Sequence, residues 1–138
     1  MAKEPNVRSE LRVVAAVMER EGKILICQRK ATDRHGLKWE FPGGKVEPDE
    51  DPKAALVREL NEELGITAKI EEEIARYEYQ YPGRAPILLI FYRVKQWKPE
   101  PENLIFASMI WEKPAKFRNY DFLDGDLDFV RRLARSAS

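Results

Sequence analysis

Three glutamates crowd one side of a short stretch near the middle of the chain, and they are the residues best suited to do chemistry. In a helix of about 3.6 residues per turn, Glu59, Glu62 and Glu63 fall on one arc. Like charges at these spacings destabilise a helix by roughly 0.2–0.5 kcal/mol per pair. A divalent cation would offset the repulsion, and carboxylate oxygens suit Mg²⁺ or Mn²⁺ better than zinc. The alternative is an acidic face that is simply solvated.

The helix that carries these glutamates has clear predicted ends. Asp51 is suited to cap its first turn, and Pro52 fits the first position, where a missing N–H costs nothing. Gly65 can adopt the left-handed conformation that ends a helix. The apolar side chains at helical spacing predict a core-facing stripe of Leu56, Val57, Leu60 and Leu64.

A glycine loop precedes the helix, and the two together resemble a known family motif. Gly44, five residues, Glu50, seven residues and then the run 58–66, with sequence RELNEELGI, match the Nudix box at every defined position. The stretch 39–45, with sequence WEFPGGK, is similar to the entry to that box in MutT-type nucleoside triphosphate pyrophosphohydrolases. The resemblance runs from about residue 11 to about residue 133. It implies an α/β fold, the Nudix α/β/α sandwich, with a mixed β-sheet between helices.

The resemblance also implies which groups hold the metal. Nudix enzymes hydrolyse a nucleoside diphosphate linked to another group, by attack of water on phosphorus. The implied cofactor is Mg²⁺, with Mn²⁺ as the alternative. Its ligands would be Glu59, Glu62, Glu63 and the carbonyl oxygen of Gly43.

Further residues near these glutamates are expected to support them. Arg58 would hold a box glutamate through a charge-assisted hydrogen bond, and Glu50 would have a supporting role. A glutamate from a second loop often assists the metal or the water in this family. Glu100 is the candidate for that catalytic role, with Glu102 in reserve.

Other positions resemble those that line the nucleotide site of MutT-type enzymes. Asp126 falls where that pattern has a base-contacting amide, although it would also be an ordinary cap for the last helix. A carboxylate donates a hydrogen bond only when protonated, so pyrimidine triphosphates stay open beside oxidised guanine. The full set of predicted substrate contacts is Arg29, Phe41, Lys45, Tyr81, Arg84 and Asp126.

The function implied by the resemblance is Mg²⁺-dependent hydrolysis of nucleoside triphosphates to a monophosphate and pyrophosphate. Removal of 8-oxo-dGTP from the nucleotide pool is the first hypothesis. A CTP or modified dCTP pyrophosphohydrolase, or another Nudix nucleotide hydrolase, is the alternative within the family. The alternative from another class is a non-catalytic Nudix-fold binding module. Such modules typically lose box carboxylates, and this chain has all of them.

Composition limits the remaining classes. A length of 138 residues predicts one domain, residues 1–138, with residues 1–10 flexible. Basic and acidic residues both number 24, so we expect a nucleotide partner and no stable binding to nucleic acid. The single cysteine, Cys27, excludes an internal disulfide. Without a signal peptide or membrane span in the sequence, we expect a cytoplasmic protein, monomeric or weakly dimeric.

Several strands must position these groups. The sequence predicts a hairpin of residues 11–18 and 23–29 around Gly22, and a strand over 67–79. The apolar run 87–94 predicts a buried central strand, and 105–111 another strand. An amphipathic helix is expected within 117–135. The lone histidine, His35, is expected to be a solvated loop residue.

Overall fold

The computed structural model describes residues 11–136, so the expected flexibility of residues 1–10 lies outside the described part of the chain. It contains a seven-stranded sheet and two α-helices, with two short 3₁₀ segments, Pro114–Asn119 and Asp124–Asp126. The strands are β1 Leu11–Arg20, β2 Lys23–Gln28, β3 Trp39–Glu40, β4 Gly43–Lys45, β5 Thr67–Tyr79, β6 Ile87–Lys98 and β7 Ser108–Glu112. The helices are α1 Pro52–Leu64 and α2 Leu127–Ser136.

The sheet is mixed, and its order is β3-β2-β1-β6-β5, with β4 paired to β1 and β7 paired to β2. β1 and β6 are parallel, in a register that runs from Leu11 opposite Ile87 to Met18 opposite Val94. The other pairings of named strands are antiparallel, including the predicted β1–β2 hairpin. β6 lies between β1 and β5, as the apolar run 87–94 predicted.

Alternate residues of β1 supply two cores, one on each face of the sheet. Val14, Ala16 and Met18 pack in the core that contains the buried face of α1. Ala15 and Val17 pack in the core that contains Phe129 and Val130 of α2. Because successive side chains of a strand point to opposite faces, one strand holds both helical layers in place. The predicted α/β/α arrangement is confirmed.

The strand predicted over 105–111 is wrong at its start. β7 begins at Ser108, and Ile105 is 42% exposed in the preceding loop. Asn103 explains the difference, because its side chain accepts from the Phe106 N–H at 2.8 Å and donates to the Phe106 carbonyl at 3.0 Å. These two bonds take the backbone groups that a sheet ladder would need.

Among the described helices, none is long and apolar enough to cross a membrane.

Candidate active site

Helix α1 presents its glutamates to the glycine strand β4. The side chain of Asp51 accepts from the Ala54 N–H at 3.1 Å, which caps the helix as predicted. Gly65 has φ 69° and donates its N–H to Asn61, which ends the helix. Leu56, Leu60 and Leu64 are fully buried, whereas Val57 of the predicted stripe is only half-buried. The glutamates lie on the arc next to this buried stripe, which places Glu63 beside the backbone of β4.

The glycines of β4 allow two of these carboxylates to approach the backbone. The Gly43 N–H donates to Glu63 Oε1 at 3.2 Å. A Cβ atom placed on Gly44 would lie only 2.4 Å from Glu59 Cδ. Burial, followed by the charges of Glu40 and Glu59, raises the pKa of Glu63 to about 9. The glycine pair therefore makes room for acidic groups that are costly to ionise without a cation.

Arg58 joins the box glutamates on the outer side of the helix. Its guanidinium donates two hydrogen bonds of 2.9 Å to Glu50, one to each carboxylate oxygen. It also lies 3.2 Å from Glu59 and 3.7 Å from Glu62. The Arg58 hydrogen bonds, with a backbone bond from Glu47, lower the pKa of Glu50 to about 2. Arg58 is thus placed to orient carboxylates, in the position that the resemblance implied.

The box carboxylates have the chemistry of a site for a hard divalent cation. Every candidate donor is an oxygen atom, and Glu63 is buried beside other acids with too little positive charge to offset them. Glu59 and Glu62 lie against Arg58, and Glu63 lies against Gly43. In residues 11–136, no three acidic, histidine or cysteine side chains lie close enough together to form a complete metal site. This set of oxygen donors fits a hard divalent cation such as Mg²⁺ or Mn²⁺.

A cavity of about 660 Å³ opens beside this acidic group. Gly43, Gly44 and Glu63 line one part of it, and the loop residues Ile105 and Phe106 also contribute to its wall. The structure brings all six predicted substrate contacts to the same cavity: Arg29, Phe41, Lys45, Tyr81, Arg84 and Asp126. Phe41 offers little surface there, because it is 3% exposed and packs against Phe91, Phe117, Phe122 and Phe129. Its predicted role as an aromatic wall is better described as support from the core.

Asp126 is the buried acid of the cavity. It is 7% exposed, and its side chain makes no hydrogen bond or ion pair with any residue that the structure describes. Burial, reinforced by Glu40 and opposed by Arg29, raises the pKa of Asp126 from 3.8 to about 8. With that pKa the carboxyl is mainly protonated at neutral pH, so it is able both to donate and to accept a hydrogen bond from a bound molecule. The cap interpretation has no support, because the side chain does not bond the first turn of α2.

Sequence reasoning did not single out Glu40, which also lines the cavity. Its side chain is 17% exposed and lies 3.2 Å from Arg29 Nη1. Burial raises the pKa of Glu40 to about 7, although Arg29 opposes the shift. The sequence held one indication of this. Glu40 lies between two aromatic residues, Trp39 and Phe41, in a short strand, where an acidic side chain has no evident reason to face solvent.

His35 is an exposed loop residue, as the sequence predicted, but it also has a place in the cavity. It lines the cavity, and its ring lies 4.8 Å from the ring of Tyr81. Its φ of 57° places the backbone in the left-handed region. Burial, and then the charges of Arg29 and Arg34, lower the pKa of His35. A ring pairing across two distant loops cannot be read from local sequence.

Glu100 is not brought to the other carboxylates. It is 67% exposed and forms a two-pronged ion pair with Arg20, at 2.8 and 3.0 Å, outside the cavity lining. The guanidinium of Arg20 also lies 4.2 Å from the ring of Trp111. Glu102, the reserve candidate, lies nearer, because its N–H donates to Leu64 at the end of α1. Neither side chain lines the cavity in this conformation.

Similarity to known proteins covers almost the whole chain. The profile of the NUDIX domain matches residues 9–133. A CTP pyrophosphohydrolase of Escherichia coli K12 is 42% identical over 133 residues, covering 92% of this chain and 97% of that protein. An 8-oxo-dGTP diphosphatase of the same strain is 40% identical over 127 residues, covering 91% and 98%. The solution structure of the E. coli ORF135 protein has a TM-score of 0.81 at 37% identity, covering 96% and 98%. The matched range contains every residue that lines the cavity.

Proposed function

The chain belongs to the Nudix family, and from that premise we propose that it hydrolyses nucleoside triphosphates to a monophosphate and pyrophosphate with Mg²⁺. The observation that carries the proposal is the cavity, which has box carboxylates at one side and the buried acid Asp126 in its lining. Such a space can hold a polyphosphate beside a metal while a polar group meets the base.

Glu59, Glu62, Glu63 and the Gly43 carbonyl would hold the metal. When bound, Mg²⁺ supplies charge neutralisation for the polyphosphate and lowers the pKa of the attacking water. Arg58 keeps the Glu59 carboxylate in place. Lys45 and Arg84 line the same cavity, where their charges attract phosphate oxygens. The protein groups therefore position and stabilise, as in phosphoryl transfer generally.

A protonated Asp126 favours 8-oxo-dGTP as the first candidate substrate. Oxidised guanine presents an N7–H donor beside its O6 acceptor, whereas guanine has an acceptor at N7. A neutral carboxyl can accept from N7–H through its carbonyl oxygen and donate to O6 through its hydroxyl, as an amide does. The raised pKa of Asp126 thus removes the difficulty that an ionised carboxylate, which only accepts, would have posed.

CTP or a modified dCTP is the second candidate, and the same acid favours it. Cytosine presents an amino donor beside the N3 acceptor, a pair that a neutral carboxyl also satisfies. The 42% identical relative is named for its action on CTP. Thymine reverses this pattern, with an acceptor beside an N–H donor. A neutral acid can also pair with that edge, so its discrimination depends on how the cavity seats the base.

The proposal is tested by a hydrolysis panel over 8-oxo-dGTP, dGTP, CTP, dCTP and dTTP, with Mg²⁺ and then Mn²⁺. We expect pyrophosphate release from at least one of the first two candidate classes. For 8-oxo-dGTP, kcat/KM should be well above that for dGTP, which has no N7–H donor. In ¹⁸O-water the label should enter pyrophosphate, because water is expected to attack the β-phosphorus. Label in the monophosphate would contradict that position of attack. Binding without hydrolysis of any nucleotide would instead support the non-catalytic module.

A further inference from the structure

The short segment that carries Asp126 is held by two tyrosines. The hydroxyl of Tyr77 donates to the Gly125 carbonyl at 2.7 Å. The hydroxyl of Tyr81 accepts from the Gly125 N–H at 2.9 Å. Both polar groups of the residue next to Asp126 are therefore bound by side chains from the β5 region of the sheet.

Close packing reinforces these two hydrogen bonds. A Cβ atom on Gly125 would lie 2.9 Å from Tyr81 Oη and 3.3 Å from Tyr79 Cδ2. Gly125 thus allows the backbone to approach the tyrosines closely enough to bond them. On the other side, Leu123 donates its N–H to the Trp39 carbonyl at 2.9 Å. The segment Asp124–Asp126 is fixed between β3 and the end of β5.

The two tyrosines differ in how they relate to the cavity. Tyr81 lines it, and its ring packs against the His35 ring at a tilt of 32°, so it has contacts of its own there. Tyr77 does not line the cavity, and its ring packs on Phe91 at 5.9 Å. The Tyr77 hydroxyl therefore does not reach a bound base itself and acts through the backbone that it contacts, at Gly125 and also at Phe129 of α2.

We propose that Tyr77 and Tyr81 are positioning residues that set base selectivity by fixing the Gly125 peptide, and with it the direction of the Asp126 carboxyl. Asp126 has no partner of its own among the described residues, so its orientation depends on the backbone that carries it. This inference rests on the proposed contact between Asp126 and the base. It adds that the contact requires two hydroxyls, one of them outside the cavity.

Tyr77→Phe is the direct test, because it keeps the ring and removes only the hydroxyl. Tyr79→Phe is the matched control, since Tyr79 lies on the same strand and its hydroxyl makes no hydrogen bond to any described residue. The measured quantity is the ratio of kcat/KM for the preferred nucleotide to that for dGTP, whose N7 and O6 are both acceptors and cannot both pair with one protonated carboxyl. A ratio is insensitive to the fraction of folded enzyme, so simple destabilisation does not change it. We expect Tyr77→Phe to lower the ratio roughly threefold to tenfold, the change expected from one lost neutral hydrogen bond. Tyr79→Phe should leave it unchanged.

Asp126→Ala separates this inference from the proposed function. If Tyr77 acts through Asp126, adding Tyr77→Phe to Asp126→Ala should not lower the ratio further. An equal loss in both backgrounds would overturn the positioning role and leave the base contact standing. If Asp126→Ala itself keeps the wild-type ratio, the base contact fails, and the positioning role fails with it.

Amide exchange in the nucleotide-free protein tests the physical link directly. The Gly125 N–H should exchange roughly tenfold faster in Tyr81→Phe, because its acceptor is gone, and at the wild-type rate in Tyr79→Phe. Faster exchange together with an unchanged selectivity ratio in both Tyr77→Phe and Tyr81→Phe would overturn the proposal. Wild-type exchange in Tyr81→Phe would also overturn it, since the hydroxyl would then not be holding the segment.

Discussion

The acidic side of the cavity and the side that holds Asp126 are built in different ways. The acidic side comes from one helix and the short strand β4, which lie close together in sequence. The Asp126 side is assembled from the loop with His35, the end of β5 with Tyr81, and the segment Asp124–Asp126. Local geometry can define the first side alone, whereas the second exists only once the sheet has formed.

The two sides also treat negative charge differently. On the acidic side Arg58 contacts the carboxylates, and a metal would neutralise the remainder. Arg29 acts on Asp126 only as a charge at a distance, without a hydrogen bond. Burial raises the pKa of Asp126, which keeps its carboxyl neutral. The first arrangement suits binding of a cation and a polyphosphate. The second suits recognition of a neutral base, where a protonated acid can both donate and accept.

Glu62→Gln tests the acidic side and should have the largest effect. Removal of one carboxylate should weaken Mg²⁺ binding and lower kcat by orders of magnitude, without changing the preference among bases. The fold should be retained, because Glu62 is 59% exposed and its long ion pair with Arg58 contributes little, while repulsion from Glu59 is relieved. Mg²⁺ titration of turnover, with Glu21→Gln in the β1–β2 turn as the charge-matched control, provides the measurement. Normal Mg²⁺ activation in Glu62→Gln would remove it from the metal ligands.

The same contrast explains what the sequence could predict. The cap at Asp51, the stop at Gly65 and the acidic arc of α1 follow from residues within one helix, and their positions in the fold were predicted correctly. The sandwich was implied by the resemblance to the Nudix family, and the apolar run of β6 is a local signal that agreed with it.

Other features depend on contacts that a single stretch of sequence does not contain. His35 reaches the cavity only because its ring meets Tyr81 from another loop. β7 begins later than predicted because the Asn103 side chain binds the backbone of Phe106. The raised pKa of Asp126 requires burial by the assembled fold, so residue type alone suggested an ionised acid.

Asp126→Ala tests the other side of the cavity, and its effect should fall on selectivity. An unpaired buried polar group costs about 1–3 kcal/mol, so preference for the best nucleotide should drop roughly tenfold to a hundredfold. Mg²⁺ dependence should be unchanged. Asp126→Asn keeps a donor and an acceptor and should retain most of the preference. The comparison of kcat/KM across the nucleotide panel decides the matter, and equal losses for every base would remove Asp126 from base recognition.

Asp126→Asn should also change how stability depends on pH. The folded protein keeps the Asp126 proton up to a pKa of about 8, whereas the unfolded chain releases it near 3.8. Between these values the unfolded state binds fewer protons, so the free energy of unfolding falls as pH rises and levels off above 8. Each unit of raised pKa corresponds to about 1.4 kcal/mol, which makes the change several kcal/mol at most.

Urea unfolding from pH 5 to pH 9, without metal or nucleotide, measures that change. Glu40 and Arg29 act on Asp126 from the β2–β3 side, and Tyr77 and Tyr81 face it from β5. All four groups are present in both proteins, so the difference between wild type and Asp126→Asn reports the Asp126 proton together with its electrostatic coupling to Glu40. Asp124→Asn, at the exposed neighbouring position, is the matched control. Parallel curves for wild type and Asp126→Asn would contradict a protonated Asp126.

Glu100→Gln should have the smallest effect. It tests whether a glutamate outside the Nudix box contributes to catalysis. Family resemblance assigns a loop glutamate to catalysis, yet Glu100 is bound to Arg20 outside the cavity. An exposed ion pair contributes little to stability, so Tm should change only slightly. If the Arg20 pair persists during turnover, kcat should change by less than about twofold. A large loss of kcat with normal Mg²⁺ binding would mean that the loop leaves Arg20 and brings Glu100 to the substrate.

Arg20→Gln then provides the control, because it frees Glu100 and should leave kcat unchanged or raise it if that movement occurs. Glu102→Gln, at the end of α1, makes the same test for the reserve candidate, and a loss confined to that variant would assign the loop glutamate to position 102.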